Sequence, residues 1–368
     1  MQSSAHVVER ELRYVCSSLT EEFEKLAGRR LLVTGGAGFL GYYLIQAPLY
    51  WNREVEPSRR IDVTVYDNFG RGMPDWLERL RPELSLVQHD VTQLLPADMP
   101  AFDYIIHAAS IASPTYYRKH PIATMDTNVR GVRALLDYAR ERAERDEPIE
   151  GLLFFSTSEI YGDPDPENIP TPETYRGSVS CTGPRACYDE SKRYGETLCV
   201  NFAREHGTPV AMARPFNNYG PGLKITDGRV IPDFARDVLA GRDIRMLSDG
   251  APTRTFCYVA DAVVGYFKIL VKGRPGEPYN IGFEAPEVSM ADVAERVAAV
   301  AREFFGYEGR VIRKVSEDPD YLVDSPNRRC PVILKAREEL GYDPQICLDD
   351  GLGRSLVWYR DHREGAAA

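Results

Sequence analysis

The run Gly35-Gly36-Ala37-Gly38-Phe39-Leu40-Gly41 follows an apolar β-branched segment, Leu31–Thr34, and leads into residues with helical patterning. Glycines three apart where a strand becomes a helix leave bare backbone. A pyrophosphate can then approach the helix N-terminus, whose unpaired N–H groups and dipole favour anions. The Gly36 to Gly41 spacing also suits a nucleoside-triphosphate loop, but Tyr42 stands where that loop carries its lysine, and the alternative fails. Asp67, just past a second apolar run, supplies a carboxylate suited to holding an adenosine ribose diol and repelling a 2′-phosphate, so NAD is expected rather than NADP. The competing view, glycines serving only tight packing, explains the turn but not the acid at the end of the next strand.

From Arg30 onward, short apolar runs alternate with longer segments of helical period, the pattern of a parallel sheet covered on both faces. The expected strands are Leu31–Thr34, Val63–Tyr66, Leu84–Gln88, Tyr104–Ala108, Leu152–Ser156 and Val210–Ala213. Between the fourth and fifth, Met125, Val129, Val132, Leu135, Leu136 and Ala139 recur at helical spacing over Thr124–Arg140. Ser289 and Asp292 form a capping-box start before Val293–Phe305. The fold class is therefore α/β: a Rossmann-type doubly wound parallel sheet with a smaller C-terminal α/β substrate-binding region. Its expected divisions are an N-terminal helical extension over 1–28, a dinucleotide-binding domain over 29–214 with a later contribution from about 235–282, and a substrate domain mainly over 215–368. The extension reads as one amphipathic helix. Pro48 and Pro57 lie in an unusually long stretch, 46–60, and predict that the first helix after the glycine turn ends or kinks early.

Composition removes several classes of function. With 45 basic against 55 acidic side chains the net charge is −10, and without a basic cluster a nucleic-acid partner is not expected. No apolar run is long enough to cross a bilayer and the first 30 residues carry no signal-peptide core, which predicts a cytoplasmic protein without a membrane partner. The 7 cysteines include no C-x-x-C pair and read as small hydrophobes in a reducing compartment, with no metal expected. His6, His89, His120, His206 and His362 show no metal-ligand spacing; His107 reads as a packed residue beside the cofactor rather than a base. No G-x-S-x-G elbow exists for a serine hydrolase.

Tyr188 and Lys192 share one face of a predicted helix. A nearby ammonium favours phenolate, so the tyrosine pKa is expected to fall from about 10 towards neutrality and let Tyr188 exchange a proton with a sugar hydroxyl. Thr157, Ser158 and Glu159 follow the fifth strand at the carboxyl edge of the sheet, where open α/β sheets bind ligands. Thr157 could hydrogen-bond the reacting hydroxyl. The plainer alternatives are a surface tyrosine with a solvated lysine, and a strand-end carboxylate facing water.

The turn, Asp67, Thr157, Tyr188 and Lys192 together resemble the extended short-chain dehydrogenase/reductase family, and the match spans nearly the whole chain after Arg29. The runs STSEIYGDP from Ser156, GPRACYDESKR from Gly183, FNNYGPGLKITDGRV from Phe216 and TRTFCYV from Thr253 are similar to the UDP-glucuronate decarboxylases, which make UDP-xylose. This resemblance implies NAD held by Gly35, Gly38, Phe39, Leu40, Gly41, Asp67, Asn68, Asp90, Val91, Tyr188 and Lys192. It implies a nucleotide sugar, with UDP as the nucleotide, touched by Tyr117, Asn217, Arg229, Arg254 and Arg329. Tyr188 with Thr157 would manage the proton at carbon 4, Lys192 would bind the nicotinamide ribose, and Ser158 and Glu159 would lie beside the departing carboxylate. Arg329 matches an arginine near the substrate, although Cys330 replaces the lysine that follows it in the family and Arg328 offers a second candidate. The stretch Asp318–Pro331 before them is longer than the family's and differently composed. A homodimer pairing helices through a four-helix interface is also implied. Related chemistries, a nucleotide-sugar 4,6-dehydratase or a 4-epimerase, start from the same oxidation; some dehydratases carry the same Thr-Ser-Glu run, while many place an aspartate where Ser158 stands. A silent NAD-binding sensor is opposed by the intact Thr157, Tyr188 and Lys192.

Overall fold

The computed structural model describes residues 3–314, 316–318 and 323–362. Part of the 318–331 stretch, residues 319–322, lies outside them. Short runs of Val, Ile, Leu and Phe form seven parallel strands: β1 (Arg30–Thr34), β2 (Asp62–Asp67), β3 (Ser85–Gln88), β4 (Tyr104–His107), β5 (Gly151–Phe155), β6 (Val210–Pro215) and β7 (Pro278–Ile281). Their spatial order is β3-β2-β1-β4-β5-β6-β7. Leu31, Leu32, Val33, Ile105, Ile106, Leu153 and Phe154 are all fully buried, as continuous apolar strands must be when helices cover both faces. The six expected strands are present with ends shifted by one or two residues. A seventh, β7, pairs with β6 through Pro278↔Met212 to Ile281↔Pro215.

The order reverses beside β1, because β2 leaves on one side and β4 lies on the other. Parallel strands end at the same edge, so the tip residues Gly35, Asp67, Ala108 and Ser156 gather along one crevice there.

The helices used below are α1 (Ser4–Ser18), α2 (Thr20–Leu26), α3 (Gly41–Glu54), α4 (Pro121–Glu144), α5 (Ala186–His206), α6 (Val230–Leu239), α7 (Val259–Lys272), α8 (Met290–Phe305) and α9 (Leu348–Asp361). α8 starts on the expected capping box: Ser289 Oγ accepts from Asp292 N, and the Asp292 carboxylate accepts from Ser289 N. Two helical expectations change. The N-terminal extension is two helices that break at Leu19, whose φ of −124° and ψ of 23° leave the helical region. α3 runs through Pro48 to Glu54 instead of stopping at the proline. Burial outweighs the local cost of the proline: Trp51 packs edge-on against Phe23 of α2 at 5.5 Å, Pro48 itself is buried, and Asn52 exchanges two hydrogen bonds with the backbone of Ile61 at 2.7 and 2.8 Å.

Candidate active site

Gly35 follows β1 with φ 73°, and a Cβ there would lie 2.4 Å from Ala109 Cα; at Gly41 it would lie 2.1 Å from the Gly36 carbonyl oxygen. Packing alone therefore demands these two glycines, as the plainer view held. Gly38 differs: a Cβ there would meet only the Gly35 carbonyl, at 3.2 Å, so its bare backbone opens the cleft instead. No side chain caps the start of α3: Tyr42 N and Tyr43 N bond back to the Phe39 and Leu40 carbonyls, and Phe39, Leu40 and Gly41 at that helix start line the same cleft. Asp67 at the tip of β2 accepts from Ala37 N at 2.9 Å and from Phe69 N at 2.8 Å, which fixes its carboxylate across the turn while lone pairs remain for a diol. Asn68, Asp90 and Val91 line the crevice beside it. Bare turn, uncapped helix and anchored acid fit the adenosine diphosphate half of NAD.

All of the expected cofactor and substrate residues line one cavity of about 2250 Å³. Tyr188 and Lys192 lie on one face of α5, and Thr157 caps the short turn after β5 by accepting from Glu159 N at 3.2 Å. Lys192, buried, donates to the Phe155 carbonyl at 2.7 Å, and its Nζ stands 5.9 Å from the centre of the Tyr188 ring. The pairing is as expected, but its electrostatic effect is not. Burial pushes the Tyr188 phenol up to about 12, against the pull of Thr157 and Arg229, and burial draws the Lys192 ammonium down to about 7. Desolvation outweighs the attraction that the spacing alone suggested. His107 is fully buried, its Nδ1 is 2.7 Å from Thr34 Oγ1, and burial followed by the Lys192 charge lowers it to about 3. It is a neutral packing residue, in line with the sequence reading.

Glu159 is the centre of a second cluster. Burial favours its neutral form, but the guanidinium groups of Arg185, Arg329 and Arg254 prevail and hold the carboxyl well below its ordinary range. Arg329 Nη2 and Arg185 Nη2 both lie 2.7 Å from Glu159 Oε2. Arg329 therefore takes the inner position, whereas Arg328 pairs outside with Glu287 at 2.6 Å. Asn217, at φ 44°, donates to the Thr255 carbonyl at 2.8 Å and accepts from Arg329 Nη1 at 3.4 Å. Arg254 is tied to the carbonyls of Thr253, Pro326 and Asn327, and Arg229 pairs with Asp227 at 3.0 Å. Tyr117 stacks on Tyr188 with ring centres 5.0 Å apart and planes 7° from parallel. Ser158 is buried at the turn. The structure thus brings together every residue the sequence singled out, and it adds Arg185, whose place in the run before Tyr188 was the only signal for it. Asp189, raised by burial and by the charge of Glu159, completes the cluster.

A doubly wound sheet with this glycine turn, anchored acid, and Thr, Tyr and Lys at the crevice defines an NAD-dependent extended short-chain dehydrogenase/reductase. The model of the NAD dependent epimerase/dehydratase family matches residues 31–282, and the chain belongs to that family. It is 38% identical over 325 residues to UDP-glucuronic acid decarboxylase 5 of Arabidopsis thaliana, covering 88% of this chain and 87% of that protein. It is 36% identical over 343 residues to UDP-glucuronic acid decarboxylase 1 of Xenopus tropicalis, covering 92% of this chain and 74% of the relative. Among solved structures, a double mutant of DesIV, a dTDP-glucose 4,6-dehydratase from Streptomyces venezuelae with NAD and DAU bound, superposes with a TM-score of 0.75 at 27% identity, covering 91% of this chain and 98% of the other.

Proposed function

We propose that this chain decarboxylates UDP-glucuronate through a 4-keto intermediate, giving UDP-xylose, the UDP-4-keto-pentose, or both. The observation that carries the reading is Glu159, paired with Arg185 and Arg329 at 2.7 Å each, in the same cleft as Thr157, Tyr188 and Lys192. NAD, when bound, supplies the hydride acceptor for carbon 4 and, in its oxidised form, a positive ring. Thr157 and Tyr188 receive the 4-hydroxyl; burial alone keeps the phenol protonated, the positive charge of oxidised NAD would favour the phenolate, and in that form Tyr188 takes the hydroxyl proton as the alcohol becomes a ketone. The carboxylate is then β to a carbonyl, and the electrons of the breaking carbon–carbon bond enter an enolate as carbon dioxide leaves. Ionised Glu159 disfavours a second carboxylate beside it and so favours its departure. Arg329 donates towards the same point, and a solvent proton relayed through Glu159 to carbon 5 quenches the enolate. Tyr188 would return the proton to the carbon 4 oxygen when the ketone is reduced again, which yields the pentose. Lys192 anchors the nicotinamide ribose, while Asn217, Arg229 and Arg254 hold the diphosphate, for which guanidinium forks and a neutral amide are suited.

The protein is read as a cytoplasmic homodimer pairing α4 and α5. Ile122, Met125 and Tyr194, exposed by 69%, 43% and 51%, support that face as the interface, and the buried unpaired Cys16, Cys199 and Cys257 suit a reducing compartment. Sedimentation showing a monomer at micromolar concentration removes the dimer. The function is tested by mixing the purified protein with UDP-glucuronate without added NAD and following carbon dioxide and the sugar product by proton NMR. Carbon dioxide and a pentose are expected. Turnover of a neutral hexose nucleotide instead, with no decarboxylation, overturns the reading in favour of a 4,6-dehydratase.

A further inference from the structure

Two arginines on a single carboxylate oxygen is an unequal arrangement. Arg185 Nη2 and Arg329 Nη2 both reach Glu159 Oε2 at 2.7 Å, and among the described residues no hydrogen bond goes to Oε1, although Glu159 lines the cleft. The two cations come from different parts of the fold. Arg329 lies in the short strand Arg328–Arg329, and its other terminal nitrogen turns to Asn217, a residue expected at the sugar nucleotide. Arg185 precedes α5, is 8% exposed, and its guanidinium stands 6.0 Å from the centre of the Tyr117 ring, which stacks in turn on Tyr188. The Nε atoms of both arginines and Oδ1 of Asp189 are buried without a hydrogen-bond partner among the described residues. One arginine thus stands at the N-terminus of the helix that carries the tyrosine, and the other in the segment expected at the substrate.

We propose that Arg185 is a positioning residue for the decarboxylation: it fixes Glu159 by Oε2 and keeps Oε1 turned to the sugar when Arg329 turns to the incoming carboxylate. A lone Arg329 would be drawn to two anions at once, and each engagement with substrate would release Glu159 from its rotamer. Arg185 removes that competition, because its guanidinium stays on Glu159 Oε2 at 2.7 Å, beside the Tyr117 ring, and keeps that oxygen partnered when Arg329 turns away. The charged and titratable groups facing Glu159 are Arg185, Tyr188 and Asp189 at the start of α5, Arg254, Arg329, and Tyr117 from the helix Pro114–Lys119. Without Arg185 two cations remain, and the carboxyl becomes easier to protonate.

This inference rests on the decarboxylase reading, and two measurements keep the failures apart. For Arg185→Gln, the acid limb of the kcat against pH profile with UDP-glucuronate is expected to move up by about one pH unit. The KM is expected to change less than about threefold, and Arg185→Lys is expected to restore most of the shift. Arg329→Gln is expected to raise KM instead. A uniform fall in kcat at every pH with an unmoved limb assigns Arg185 a structural role and overturns the proposal. If the wild-type protein leaves UDP-glucuronate untouched, the decarboxylase reading fails by itself. The hold on Glu159 is then read without turnover, from the infrared carboxyl band that Glu159→Gln removes. That band must protonate at higher pH in Arg185→Gln than in wild type, and an unchanged titration overturns the proposal.

Discussion

Tyr188 combines a conspicuous motif with an inconspicuous energetic fact. Its spacing to Lys192 identifies the pair, but a pKa is a balance between attraction and desolvation, and both rings and ammonium are buried on packed surfaces contributed by β5, α5 and the helix Pro114–Lys119. Replacing Tyr188 by Phe removes the proton exchanger and little volume. The expected outcome is a fall in kcat of about a thousandfold or more with NAD affinity within about threefold of wild type. Stopped turnover with retained cofactor, read by absorbance and calorimetry, supports the role, whereas retained turnover removes the phenol from the mechanism. Glu159 shows the opposite limit of sequence reading. Its position after β5 was legible, but its ionisation is set by Arg185, Arg254 and Arg329, which lie 26, 95 and 170 positions further along the chain.

Docking of α1 shows what an added element requires. Its apolar stripe, Val7, Val8, Leu12 and Val15, was visible as helical periodicity, yet Glu11 sits in the middle of that stripe and is fully buried. The hydroxyls of Tyr43 in α3 and Tyr258 before α7 both donate to it, and burial pushes the carboxyl up from 4.5 to about 7. Between those two pH values the folded protein keeps a proton that the unfolded chain has lost. Stability therefore falls as pH rises through that window, by on the order of 3 kcal/mol, and levels off above it. Thermal unfolding of wild type and Glu11→Gln from pH 5 to 8 checks this: the difference between the two must change across the window, and a constant difference contradicts it. α2 is tied in a similar way, by buried Glu22 to Lys268 at 3.2 Å and Lys272 at 2.7 Å on α7. The same packing carries α3 through Pro48, where local propensity alone predicted an early end or a kink.

Cofactor and substrate meet only because the crossover order of the sheet sets the ends of β1, β2, β4 and β5 along one edge, with the 217–254 and 325–329 segments closing over them. Asp67 tests the dinucleotide side of that assembly. For Asp67→Ala, NAD affinity is expected to fall by about tenfold or more, because a charged acceptor for the ribose diol is lost, and discrimination against NADP should weaken with it. Calorimetric titration with both dinucleotides measures this, and unchanged NAD affinity places the adenosine elsewhere. Six of the seven strands, the glycine turn, the capping box at Ser289 and the Tyr188–Lys192 pair were legible in the order of residues, since hydrophobic period, backbone freedom and helical spacing are local properties of a chain. The path of α3 past Pro48, the neutral phenol, the choice of Arg329 over Arg328 and the grip of Arg185 on Glu159 were decided by tertiary packing. Burial and through-space charge depend on which distant segments come to share a low-dielectric interior, and no local spacing encodes that.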